Sequence, residues 1–134
     1  NYSNNIQSQL DITSTPEYYQ ELVKNCVQIE NRSLPQVSGS GGVTAESITY
    51  ESCMVTYYYT VHNESGNYIS GDMVPNMKNG MISELLNNPS SKQFVTYCIK
   101  GNVSLVYKYK NSITGNVLTM SIFPLDFKQA QCHI

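Results

Sequence analysis

The chain has 134 residues, 40% of them hydrophobic, and carries eight basic against ten acidic side chains for a net charge of −2. That is enough apolar material for one core and little for a second, so residues 1–134 are expected to form a single domain. The cations are few and scattered, which excludes the basic stripe of a nucleic-acid binder and the polybasic patch of a lipid-surface protein. No apolar run approaches the roughly 18–20 residues that span a bilayer.

Residues 1–15 are polar, crowd Ser and Thr towards Pro16, and read as a flexible N-terminal lead-in. A helix then starts with Thr15 as cap, Pro16 in the first turn and Glu17 at the positive end of the helix dipole. Tyr19, Leu22, Val23 and Cys26 form its apolar stripe, and Pro35 lies beyond its end. The Ser38–Gly42 run is a loop. Ser47–Tyr50 makes a short strand, Glu51–Cys53 a tight connection, and Met54–Val61 a second strand dense in β-branched and aromatic residues. Alternation puts Val55, Tyr57, Tyr59 and Val61 on a buried face and Met54, Thr56, Tyr58 and Thr60 on the other.

After a turn-rich stretch from His62 to Gly71, Asp72 heads a helix bearing Met73, Met77, Met81 and Leu85, a stripe that reads as core. Asn88 and Pro89 break it and start another helix, with Phe94, Val95, Cys98 and Ile99 buried and Gly101 as a left-handed stop. Two strands finish the pattern. Val103, Leu105, Tyr107 and Tyr109 alternate with Ser104, Val106 and Lys108, then Leu118, Met120 and Ile122 alternate with Thr119 and Ser121. Pro124 closes the last strand, and a tail carries Phe127 and Cys132. The expected fold is α+β in two layers: a four-stranded antiparallel sheet with helices on one face, in the order α-β-β-α-α-β-β.

Leu22-Val23 on a helix, Asn31-x-x-Leu34-Pro35, and a strand reading Val55-x-Tyr57-x-Tyr59-Thr60-Val61 resemble a group of small exported bacterial α+β proteins of unassigned function. Asn88-Pro89 at a helix start and Gly101-x-Val103-x-Leu105-x-Tyr107-x-Tyr109 agree with the same group, so the resemblance spans residues 18–127. It implies periplasmic, cell-surface or secreted placement, with a cleaved leader or a lipid anchor belonging upstream of Asn1, and implies no activity. Where similar proteins carry a Cys before the Asn-Pro helix start, this chain has Leu86 and Asn87.

The four cysteines, Cys26, Cys53, Cys98 and Cys132, form no Cys-x-x-Cys pair, so neither a zinc ribbon nor a thioredoxin-like site is indicated. They read as two disulfides in an oxidising compartment. Cys98 ends a helix that leads into the third strand, and Cys132 follows the antiparallel fourth strand. Cys98–Cys132 with Cys26–Cys53 is therefore the expected pairing; 26–132 with 53–98 and 26–98 with 53–132 are the alternatives.

Catalytic patterns are missing. There is no Gly-x-Ser-x-Gly elbow, no phosphate loop and no calcium loop. His62 ends a strand and His133 sits beside Cys132 in the tail, neither with the further ligands a metal needs. No cofactor is expected. The eleven tyrosines are the unusual feature. Tyr57, Tyr59, Tyr107 and Tyr109 belong to the core, whereas Tyr58 faces the other way with Lys108 and Val106 as neighbours. That face, with His62 and the 62–72 loop, is the candidate ligand-binding surface. The expected function is an exported non-enzymatic binding module for a protein, peptide or glycan, of inhibitor, immunity or envelope-accessory type. A structural subunit of a pilus or surface assembly is the alternative, and a hydrolase using His62 or His133 a third reading.

Overall fold

Thr15 sets the first helix as its sequence position demands: its hydroxyl accepts from the Tyr18 N–H at 3.3 Å, with Pro16 in the first turn. The computed structural model describes residues 15–62 and 69–132, so residues 1–14 of the lead-in, residues 63–68 of the turn-rich stretch, and His133 lie outside the described residues. Helix α1 (Pro16–Asn31) is followed by strands β1 (Gln36–Val37), β2 (Val43–Glu51) and β3 (Met54–Val61). A 3-10 turn (Gly71–Met73) leads into helices α2 (Val74–Asn87) and α3 (Pro89–Gly101), then strands β4 (Ser104–Asn111) and β5 (Val117–Ile122), and helix α4 (Pro124–Cys132).

The sheet corrects the four-stranded antiparallel expectation. It has five strands in the order β1-β2-β3-β4-β5, and its central pair, β3 with β4, runs parallel. The other three pairings are antiparallel. The reason lies in where the helical connection begins and ends. Val61, at the end of β3, shares a cavity wall with Ile69, Ser70 and Gly71. Ser104, at the start of β4, donates its N–H to the Cys53 carbonyl at 3.1 Å, beside the start of β3. The α2–α3 pair thus carries the chain from one end of the sheet to the other, as a parallel pairing requires. β1 was hidden because two residues behind a proline carry no periodic signal.

The last helix is the second correction. Pro124 starts α4 rather than merely closing β5: the Phe123 N–H donates to Asp126 Oδ2 at 2.7 Å, and the Asp126 N–H to the Phe123 carbonyl at 2.9 Å. This turn drives Phe127 into the core, where it is wholly buried. The core lies between the helices and one face of the sheet, with Val23, Val95 and Cys98 from the helices meeting Val55, Leu105, Met120 and Ile122 from the strands. Within α2 the deepest residues are Ile82 and Leu86, with Met77, Met81 and Leu85 partly buried around them; Met73, expected in the same stripe, lies exposed in the 3-10 turn before the helix.

Gly101 also differs from expectation. The left-handed residue is Asn102 (φ 54°), whose N–H reaches the Cys98 and Ile99 carbonyls. Gly101 is the last helical residue, and it is buried where α3 meets the first turns of α1. A Cβ there would lie 3.2 Å from the Gln20 nitrogen and 3.3 Å from the Tyr19 carbonyl carbon. Gln20 also donates its side-chain amide to the Gly101 carbonyl at 2.9 Å. Tyr19 Cβ is a third neighbour at 3.3 Å, and since the other two atoms are backbone, α1 and α3 must shift apart slightly to admit a methyl group. Gly101→Ala should destabilise the protein by about 1–3 kcal/mol despite the better helix propensity of alanine, read as a lower urea midpoint with an unchanged slope.

Candidate functional site

Parallel pairing places Tyr57 opposite Tyr107 and Tyr59 opposite Tyr109 on the helix-covered face. Neighbouring strands are spaced by about the distance at which aromatic rings stack. Tyr57 and Tyr107 accordingly stack with centroids 4.5 Å apart and planes within 5°, and Tyr59 and Tyr109 at 5.1 Å. Three of the four are buried and Tyr59 is half-buried. Burial holds all four phenols above their ordinary range. Tyr109 and then the Glu30 carboxylate add to the effect of burial at Tyr59, which is pushed up to about 12. Burial likewise raises the Glu30 carboxyl. These rings are structural.

Their ionisation has a consequence at high pH. An unfolded chain releases phenolic protons near pH ~10, whereas the folded state keeps them, so the folded state binds more protons above that pH. The stabilisation is whole below about pH 10 and declines as pH rises beyond it. Titration should therefore show the phenolate absorbance of these four tyrosines only together with loss of secondary structure in circular dichroism.

Among the described residues, no helix packs on the opposite face of the sheet. In the β3–β4 register Tyr58 lies directly beside Lys108, and Thr56 beside Val106. Tyr58 is exposed and Lys108 half-buried, but Val106 is only 6% exposed, so it floors the surface rather than presenting itself to a ligand. His62 continues the same alternation beyond Thr60, and its Nε2 lies 2.6 Å from Thr44 Oγ1, tying the end of β3 to β2. Tyr58, Lys108, Lys110, Glu46, Val117 and Thr119 line an open depression of about 530 Å³. Glu46 accepts a hydrogen bond from Thr60 Oγ1 at 2.7 Å. Sequence reasoning missed Lys110, Glu46, Val117 and Thr119. Period-two alternation extended by one step reaches Lys110 on the face of Lys108, but the neighbours from β2 and β5 depend on register, which alternation does not supply.

A second depression, about 540 Å³, lies between α2 and α4 over Ile82, Leu86 and Ala130. Lys78 spans its rim, with its Nζ 3.1 Å from Asp126 Oδ2 and 5.7 Å from the centre of the Phe123 ring.

The cysteines do not pair as expected. All four thiols are free in the structure. α4 is the reason for Cys132, because the helix carries it beyond the end of β5 to an exposed position instead of leaving it beside Cys98. Cys98 is wholly buried under the helices, and burial pushes its thiol up to about 12. Cys26 is half-buried, its thiol raised by burial and then by Glu30, and Cys53 sits at φ 59° in the β2–β3 turn. Thiolate is the reacting form. Iodoacetamide at neutral pH should thus label Cys132 first and spare Cys98 until the protein is denatured, as read by peptide mass spectrometry.

No family model matches the chain, and no curated protein matches it in sequence. Solved structures do match. The pilotin EpsS of the Vibrio vulnificus type 2 secretion system superposes with a TM-score of 0.63 at 11% identity, covering 83% of this chain and 93% of its own. The fold is shared. The type II secretion system pilotin AspS of Vibrio cholerae gives 0.59 at 13% identity over 82% of this chain and 93% of that one. A candidate secreted protein of Pseudomonas aeruginosa gives 0.56 at 11% identity over 78% and 88%. Identities this low speak for the architecture and not for the site residues.

Proposed function

We propose that the protein is an exported, non-enzymatic binding module, acting as one domain, that serves an envelope or secretion assembly by holding a segment of another protein. The observation that carries this reading is the fold: two proteins of the same architecture, over more than four-fifths of this chain, are pilotins of type II secretion systems. A third is a candidate secreted protein. This likeness supports periplasmic, cell-surface or secreted placement; the free thiols lend it no support.

The ligand-binding surface in this reading is the sheet face around Tyr58 and Lys108, which no helix covers among the described residues. An exposed tyrosine offers a flat ring with a polar tip at low entropic cost. The paired lysine adds a long apolar stem with a charge at its end. Both project from central, paired strands, which hold them more firmly than a loop would.

The test is capture from the envelope fraction of the source organism by chemical crosslinking and mass spectrometry. One dominant envelope protein is expected with the wild-type chain. Tyr58→Ala with Lys108→Ala should reduce its recovery about tenfold or more, as hot-spot truncations do, with circular dichroism and the urea midpoint unchanged. Equal recovery by the double variant removes the surface assignment. Turnover of a substrate that survives in that variant and disappears on His62→Ala removes the non-enzymatic reading.

A further inference from the structure

The two edges of the sheet are treated differently by the sequence. On one side, β1 is two residues long and follows Pro35. Beyond it, β2 carries Glu46 and Glu51, and its Ile48 N–H donates to Asn31 Oδ1 at 3.0 Å. Short strands, prolines, charges and covering side chains are the usual means by which an edge is closed to further pairing. On the other side, β5 is six residues long and reads Val-Leu-Thr-Met-Ser-Ile, without a charge, a proline or a glycine. Among the described residues its strand backbone pairs only with β4. A strand of this composition with a free row of amides and carbonyls is a template for one more strand.

The surroundings specify what would fit. On the open face, Lys108 stands beside Thr119 and Lys110 beside Val117. Among the described residues neither lysine has a carboxylate at salt-bridge distance: the ion pair that those residues form, Lys78–Asp126, lies between α2 and α4, and Glu46 accepts from Thr60. A strand added outside β5 would lie about 10 Å from β4. Lysine and glutamate side chains reaching towards each other over Thr119 and Val117 close that gap. On the other face the same strand would lie beside Leu118, Met120 and Ile122 under the cover of α2, with the half-exposed Phe123 at its end.

We propose that the β5 edge is a docking site for an extended segment of a partner protein whose residues alternate between acidic and apolar. The segment joins the sheet as a sixth strand, with its acidic side chains on the Lys108 and Lys110 side. This deepens the binding-module reading by assigning the class of ligand and its mode of attachment, and it rests on that reading only for the partner being a protein.

The probe is a synthetic peptide of alternating Glu and Val, flanked by polar residues for solubility. Its binding to the full chain is followed by fluorescence anisotropy and by amide hydrogen exchange. Slowed exchange confined to alternate amides of residues 117–122 is expected, with affinity falling about tenfold or more in K108E/K110E and recovering for that variant with an alternating Lys and Val peptide. No binding, or protection on residues 54–60 without change at 117–122, overturns the edge assignment. The latter outcome leaves the Tyr58 surface standing, so the two readings fail separately. Protection of 117–122 that requires no peptide and grows with protein concentration, alongside dimers in sedimentation, also overturns it, because a second copy then occupies the edge.

Discussion

Parallel pairing of β3 with β4, in unbroken register from Met54 opposite Ser104 to Val61 opposite Asn111, is the constraint on which the other features depend. It requires the chain to travel the length of the sheet between the two strands, and α2 and α3 exist in that crossover. It sets like residues side by side, so that the Val-x-Tyr-x-Tyr and Leu-x-Tyr-x-Tyr runs become stacked rings at strand spacing. The same register, read on the reverse face, puts Tyr58 against Lys108. One pairing therefore builds the centre of the core and the centre of the exposed surface together.

The helical layer closes over this pair at its tightest point through a missing side chain. Gly101 lets the end of α3 approach the first turns of α1 to backbone contact, and Gln20 bonds its carbonyl there. The crossing sits where the chain turns through Asn102 into β4, so helix contact and strand entry are coupled within a few residues. The opposite face mixes Thr, Ser, Lys and Tyr with Met54, Val106 and Val117, and of its apolar positions only Val106 is buried. The likeness to secretion-system pilotins at 11–13% identity is of this scaffold and does not extend to site residues.

Two helix starts were legible because their signals are local, whereas Asp72, expected to head α2, lies in the 3-10 turn before it. Thr15 with Pro16 and Asn88 with Pro89 satisfy their own first turns, and the structure shows both caps. β3 was read to its end residues from a dense run of β-branched and aromatic side chains. α4 was not read, although Pro124 and Asp126 form a cap of the same kind, because only Phe127 marks an apolar face along it. Gly101 was assigned the left-handed position by the habit of helix ends, when the space it vacates is required by another helix far away in sequence.

By itself the sequence determined what each segment could be: its period, its caps, and which side chains of a strand share a face. Those follow from interactions over a few residues and from the fixed geometry of the backbone. The direction of β4 against β3, the partners of Lys108 and Lys110, the free state of the cysteines and the contrast between the two sheet edges were decided only by the tertiary structure. Each depends on which segments meet after the chain has crossed the sheet, and the energy of that choice is spread over many contacts of the core rather than written in any one of them.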